Sequence, residues 1–314
     1  IDYWGHYPVA DMEFDLTAPV SVGMRAWSPL IPGDTAASNI PAAVFEVRLR
    51  AREEACSGTL VFNFPGPDAE EARSTEFTRT VVEEEVHGVI ISSAAGVNYV
   101  LGVIGDEEVR FRGGLGGDAD AWKSFFTSLP QPAHRDLNGT RIYADASCAA
   151  AVDFDVAPGE EKVVRFVLAW YAPEVEGAKK TWDGVDRVEG GFLRQRWLAE
   201  PWAGDTNYYY QMYATRYRSA ADVARRVAAE HESLLQRVLA WQEVIYAEDS
   251  YPAWLRDSLV NNLALIAEDS HWFQARPPLG DWAYPFGAFA LNESPRGCPH
   301  MSCNPCDWYG NHPI

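Results

Sequence analysis

The chain has 314 residues, 47% of them hydrophobic and 23% charged, a globular composition with enough length for two hydrophobic cores. A formal charge of −19 argues against nucleic acid or an anionic membrane as partner, since such a surface would not displace counterions from phosphates. No apolar run reaches the roughly 18 residues of a transmembrane helix, and the opening IDYWGHYPVADMEFDL has neither the basic nor the apolar region of a signal peptide.

From residue 1 to about residue 200 the pattern is that of β-structure. AVFEVRLRA (43–51) alternates Phe45, Val47 and Leu49 with Glu46, Arg48 and Arg50, which predicts a strand with one buried and one solvated face. Short apolar stretches at 59–64, 86–92, 97–104 and 162–172 follow, separated by turn-rich segments such as GPDAEE, GGLGGDAD and APGEEK. Many short strands with little helix between them predict an antiparallel sandwich. AWKSFFTSL (121–129) reads as its one helical interruption.

The period changes after about residue 217. Val223, Val227, Leu234, Val238, Trp241 and Ile245 recur at intervals of three, four and seven, the stripe of a long amphipathic helix. Ser219 is placed to cap it, with Asp222 in the first turn where the helix dipole favours negative charge. A second helix is expected over YPAWLRDSLVNNLALIAEDSHWF, with Pro252 at its first turn and Leu255, Leu259, Leu263 and Ile266 on its buried face. His271, Trp272 and Phe273 would end that helix. These patterns divide the chain into a β domain (1–212), a connecting helix (213–249) and the start of a helical domain (250–314).

Three stretches resemble glycoside hydrolase family 116, which includes bacterial β-glucosidases and β-xylosidases and the non-lysosomal glucosylceramidases. They are YPVADMEFDLTAPVSVGMRAWSPLIPGDTAASNIPAAVFEVRL (7–49), YATRYRSAADVARRVAAEHESLLQRVLAWQEVIY (213–246) with PAWLRDSLVNNLALIAEDSHW (252–272), and FGAFALNES (286–294). The last is similar to the family's stretch around its catalytic nucleophile. The resemblance implies an all-β antiparallel sandwich followed by the first helices of an (α/α)6 barrel. It also implies a retaining β-glycosidase acting on a carbohydrate or β-glycoside, with Glu293 as the nucleophile. The acid/base aspartate is then expected further along the barrel than these residues reach, so that the 314 residues alone would be inactive. Neither terminus reads as a natural one, which is the pattern of a fragment.

In the family, the tract after the nucleophile contains an aspartate that holds sugar hydroxyls. Here HMSCNPCDWYGN (300–311) places Pro305 at that position, with Asp307 two residues on as a substitute. Trp272 is a candidate floor for a sugar by ring stacking, as against core packing, and His300 a candidate substrate contact. Arg276 either reaches toward the pocket or is an ordinary surface arginine. The Asn138-Gly-Thr140 sequon is not expected to be used.

Cys298, Cys303 and Cys306 lie close together with His300 among them, while Cys56 and Cys148 are isolated. Four such ligands would suffice for tetrahedral zinc, but only one CxxC knuckle is present. Free thiols in a tight loop are therefore the first reading and no cofactor is expected, with a zinc site at Cys298, Cys303, Cys306 and His300 as the alternative and a disulfide as the third. The metal version has a functional form, in which Cys303 or Cys306 attacks the sugar. A non-catalytic carbohydrate-binding or structural module is the remaining alternative. The unpaired cysteines lean toward the cytoplasm; the sequence is silent on oligomeric state.

Overall fold

The computed structural model describes residues 1–314 except 70, 84, 114–118, 121, 122, 124–139, 144, 145, 177–207, 265, 266, 268, 269, 277–280, 295–297 and 302–314. The chain forms two compact units. One comprises Ile1–Tyr171 with Tyr217–Trp241, the other Ala172–Arg216 with Gln242–Ile314.

In the first unit the strands are β1 (Asp2–His6), β2 (Val9–Phe14), β3 (Val20–Trp27), β4 (Ala42–Ala51), β5 (Cys56–Phe64), β6 (Glu76–Glu83), β7 (Val86–Ser93), β8 (Asn98–Ile104), β9 (Val109–Gly113), β10 (Thr140–Tyr143), β11 (Cys148–Val156) and β12 (Glu161–Tyr171). Nine of them make one antiparallel sheet in the order β1-β2-β3-β4-β12-β8-β7-β6-β10, and three make a second in the order β5-β11-β9. A single core joins the two. Val47 and Leu49 of β4, Val164 and Phe166 of β12, and Leu101 and Val103 of β8 cluster with Ala150, Val152 and Phe154 of β11 and Phe111 of β9. Phe62 of the small sheet stacks on Phe166 of the large one, centroids 5.0 Å apart. The strand expected from alternation over 43–51 and those expected from short apolar stretches over 59–64, 86–92, 97–104 and 162–172 are β4, β5, β7, β8 and β12. The helix expected over 121–129 lies outside the described residues apart from Lys123.

The other face of the large sheet is not the solvated one that alternation in β4 suggests. Register sets Val9, Trp27, Val44 and Val167 side by side across β2, β3, β4 and β12, and all four are buried. The next rung is Asp11, Arg25, Glu46 and Arg165. Arg25 donates to both oxygens of Asp11, at 2.8 and 3.0 Å, and Arg165 donates to Glu46 at 2.8 Å. Opposite charges facing each other across strands allow Glu46 to be buried, which its own strand's alternation could not reveal.

Helix α1 (Thr35–Ser38) is capped by Asp34, and the long helix α2 spans Ala220–Tyr246. Its predicted stripe is buried at Val223, Val227, Leu234 and Val238. Ser219 accepts from the Asp222 amide at 3.2 Å, and Asp222 accepts from the Arg218 amide at 2.9 Å, a reciprocal cap. Three contacts fasten the helix within this unit: Ala220 N–H to Asn98 at 2.7 Å, Arg237 to Asp34 at 2.5 Å, and Trp241 Nε1 to the Leu30 carbonyl at 2.8 Å.

The second unit holds β13 (Glu174–Glu176) paired with β14 (Tyr208–Tyr210), helix α3 (Ala253–Asn261), and a sheet of β15 (Ser270–Phe273), β16 (Ala288–Ser294) and β17 (Cys298–Met301). The second helix is thus shorter than its pattern predicts. Pro252 stands just before it, its carbonyl accepting from Leu255 and Arg256. Val260 is its buried residue; Leu255 and Leu263 are half-buried, Leu259 is exposed, and Ile266 lies outside the described residues. The regular segment ends at Asn261 with a turn at Asn262, where asparagine side chains compete for backbone hydrogen bonds, and Leu263, Ala264 and Ala267 are helical again. His271, Trp272 and Phe273, expected at its end, are instead a strand, because aromatic residues fit a half-buried pleated surface and here find a partner in β16. Among the described residues no helix is long and apolar enough to cross a membrane.

Candidate active site

Two strands of the second unit are joined by backbone bonds. Gln211, next to β14, bridges Phe273 of β15, and the Gln274 amide donates to the Tyr210 carbonyl at 2.7 Å. The Gln274 side chain adds a bond to the Gln211 carbonyl at 2.8 Å. One face of this surface is packed. Tyr209 and Phe273 are buried with ring centroids 5.2 Å apart, and His271 stacks on Phe273 at 5.3 Å. Burial lowers the pKa of His271 from its ordinary 6.5 and raises that of Tyr209 to about 12, so both are neutral near pH 7.

Alternation puts Tyr210 and Trp272 on the opposite, open face. Phe289, directly paired with Trp272, is 49% exposed. Trp272 Nε1 donates to the Phe286 carbonyl at 2.7 Å, tying the β15–β16 connection down to the strand. Gly287 makes this close approach possible: its φ is +75°, and a Cβ there would collide with the Phe273 carbonyl oxygen and the end of Met212. Arg276 lies over the Tyr210 ring, its Cζ 3.4 Å from the centroid.

Glu293 falls near the end of β16. Ser270 pairs with Leu291 on one side, and on the other Asn292 pairs with Met301 and Ser294 with Cys298. Between those last two pairs the register shifts. Glu293 therefore stands alone against two residues, Pro299 and His300, a β-bulge of the kind that re-aims a side chain beside active sites. Glu293 also continues the alternate set of Phe289 and Leu291, two strand residues apart each time.

The structure thus brings Trp272, Glu293, Cys298 and His300 onto three adjacent strands. Cys303, Cys306 and Asp307 lie outside the described residues, so the cysteine tract is represented by Cys298 alone. Neither Cys56 nor Cys148 forms a disulfide. Among the described residues no group of three His, Cys, Asp or Glu side chains could hold a metal ion. The stacked pair of Arg276 and Tyr210 had no signal in the sequence, because it forms between positions 66 apart that no motif connects.

The family described as "beta-glucosidase 2, glycosyl-hydrolase family 116 N-term" matches residues 1–234. Among curated proteins none matches the chain. Among solved structures the chain is similar to a "Putative kojibiose phosphorylase from human microbiome", at 9% identity and a TM-score of 0.29, a likeness too slight to bear on fold or activity. The alignment covers 52% of this chain and 18% of that one. The match over the first 234 residues takes in both sheets and the start of α2, and on it the chain belongs to glycosyl-hydrolase family 116, whose N-terminal domain it carries.

Proposed function

We propose that the protein hydrolyses β-glycosidic bonds with retention of configuration, with Glu293 as the nucleophile. Membership of a glycoside hydrolase family supports the reaction class. The observation that carries the residue assignment is the position of Glu293 at the bulge between β16 and β17, on the strand whose exposed Phe289 pairs with Trp272. In this mechanism the Glu293 carboxylate attacks the anomeric carbon while a carboxylic acid protonates the departing oxygen. Water, deprotonated by that same second group, then releases the sugar from the glutamyl ester. The two carboxyl groups must lie about 5–5.5 Å apart. The second is proposed to come from the (α/α)6 barrel that α2 and α3 would begin. Trp272 is proposed as a sugar platform, and His300 and Asp307 as hydroxyl contacts.

Glu293→Gln in the full-length protein tests this assignment. Removing the nucleophile is expected to lower turnover of a 4-nitrophenyl β-glycoside by at least about 1000-fold, since covalent catalysis is lost while binding remains. A 2-deoxy-2-fluoro aryl glycoside should leave its sugar on the peptide containing Glu293, detected by mass. Retained turnover in the variant, or label on another residue, rules the assignment out. A full-length protein that binds glycosides but never cleaves them supports the non-catalytic module instead.

A further inference from the structure

We infer that the open face formed by Tyr210, Arg276, Trp272, Phe286 and Phe289 binds the part of a β-linked glycan that lies beyond the sugar bonded to Glu293. The inference rests on the proposed role of Glu293 for its orientation, but its evidence lies in the second unit's own surface. Arg276 is exposed, and its guanidinium is held flat on Tyr210 at 3.4 Å. No hydrogen bond from that guanidinium to a carboxylate or carbonyl is found among the described residues. Stacking fixes the plane of the group and leaves its in-plane N–H donors directed outward. An arginine held by a ring and not by an acid is poised to donate to a ligand.

The neighbouring groups narrow the ligand class. Phe286 is 79% exposed and Phe289 49%, and Trp272 is fixed between them by its bond to the Phe286 carbonyl and its pairing with Phe289. Flat apolar rings with a few placed donors make a surface for a molecule that has both apolar faces and hydroxyl edges. A pyranose chain is such a molecule. A phosphate or carboxylate ligand would need more positive charge than one arginine on a chain of net charge −19, and a purely apolar ligand would leave the guanidinium donors unused. From Phe289 to Glu293 the strand runs four residues, about 13 Å, which is longer than one pyranose ring. The face therefore serves units remote from the cleaved bond, and its effect should grow with glycan length.

The test compares substrates of different length in the full-length protein. Cellotetraose and xylotetraose serve as long probes, the matching 4-nitrophenyl monoglycosides as short ones, and octyl β-glucoside as an apolar one. Arg276→Ala is at an exposed position and should not affect folding. It is expected to reduce kcat/KM for the tetrasaccharide that is cleaved about tenfold more than for the matching aryl monoglycoside, the size of one lost charge-assisted hydrogen bond. Arg276→Lys should recover only part of the loss, because an ammonium lacks the fork and the stacking plane. Equal effects on long and short substrates, or none, overturn the proposal. It is also overturned if Phe286→Ala weakens octyl β-glucoside while neither variant affects the tetrasaccharides, since the face would then take an alkyl chain. Calorimetric binding of the tetrasaccharides to Glu293→Gln keeps the two proposals apart. Tetrasaccharide binding that Arg276→Ala abolishes upholds the face even where Glu293 proves not to be the nucleophile, and absence of tetrasaccharide binding in the Glu293→Gln protein refutes it.

Discussion

His271 lies on β15 against Phe273, with Nδ1 3.4 Å from the side-chain nitrogen of Gln211. An amide nitrogen only donates, so Nδ1 accepts and the ring proton sits on Nε2, the state of a neutral imidazole. Burial lowers the folded-state pKa below 6.5, because the charged form has lost its water. The sign of the pH effect follows. Between the folded pKa and 6.5 the unfolded chain binds a proton that the native state refuses, so stability falls as pH drops through this window and is unaffected above it. His271→Phe should lose less stability than the unsubstituted protein between about pH 8 and about pH 5.5, measured by urea midpoints. Equal losses in the two proteins would show that His271 is not the titrating group. Asp34 has the same sign in a lower pH window. The Ala37 amide and then Arg237 hold its pKa below 3.8, so its contribution is present above that value and disappears only in stronger acid.

At the scale of the element, what the sequence reveals depends on whether the deciding contacts are local. β4 is readable from the alternation of its large apolar residues and β12 from its apolar run, both local signals. β11, Cys148–Val156 with the run CAAAVDFDV, shows alternation at Val152, Phe154 and Val156 against Asp153 and Asp155 but not over its first half, since alanine packs on either face of a sheet. The stripe of α2 and its Ser219 cap were equally local. Ser219→Ala is expected to lower stability by about 1 kcal/mol through loss of the bond to the Asp222 amide, while Ser219→Asp should keep most of it. Calorimetry showing Ser219→Ala and Ser219→Asp to be equally stable would discount the cap. By contrast, SHWF (270–273) reads as the end of a continuing helix until β16 is known, and β16 follows only after a connection of 14 residues, 274–287. The candidate site had the same limit. Glu293 was legible through the FGAFALNES stretch, but the bulge around it is a property of pairing with β17. The Arg276–Tyr210 stack likewise depends on β14 meeting β15 from far away in sequence.

Across the whole molecule, 13% of residues are aromatic, and their distribution separates two uses of a ring. Within the first unit Trp27, Phe77, Phe111 and Phe166 are buried, and the Phe62–Phe166 stack ties the small sheet to the large one. In the second unit Trp254, Trp282, Tyr284, Phe286 and Phe289 are exposed. Exposed rings gain nothing from the hydrophobic effect where they stand, so their removal should have little effect on folding. Phe166, at 0% exposure, is the opposite case: Phe166→Ala leaves a cavity between two sheets that cannot both relax, a loss of roughly 3–5 kcal/mol. Phe286→Ala should leave the unfolding free energy from urea titration within about 0.5 kcal/mol of the unsubstituted protein, and weaken tetrasaccharide cleavage. Paired measurements of stability and activity on these two variants decide the matter. Should Phe286→Ala unfold the protein as Phe166→Ala does, the exposed rings are structural and the open face has no role in binding. A Phe286→Ala protein with full stability and impaired tetrasaccharide cleavage separates the two uses of a ring: the buried Phe166 holds the sheets together, and the exposed Phe286 meets the substrate.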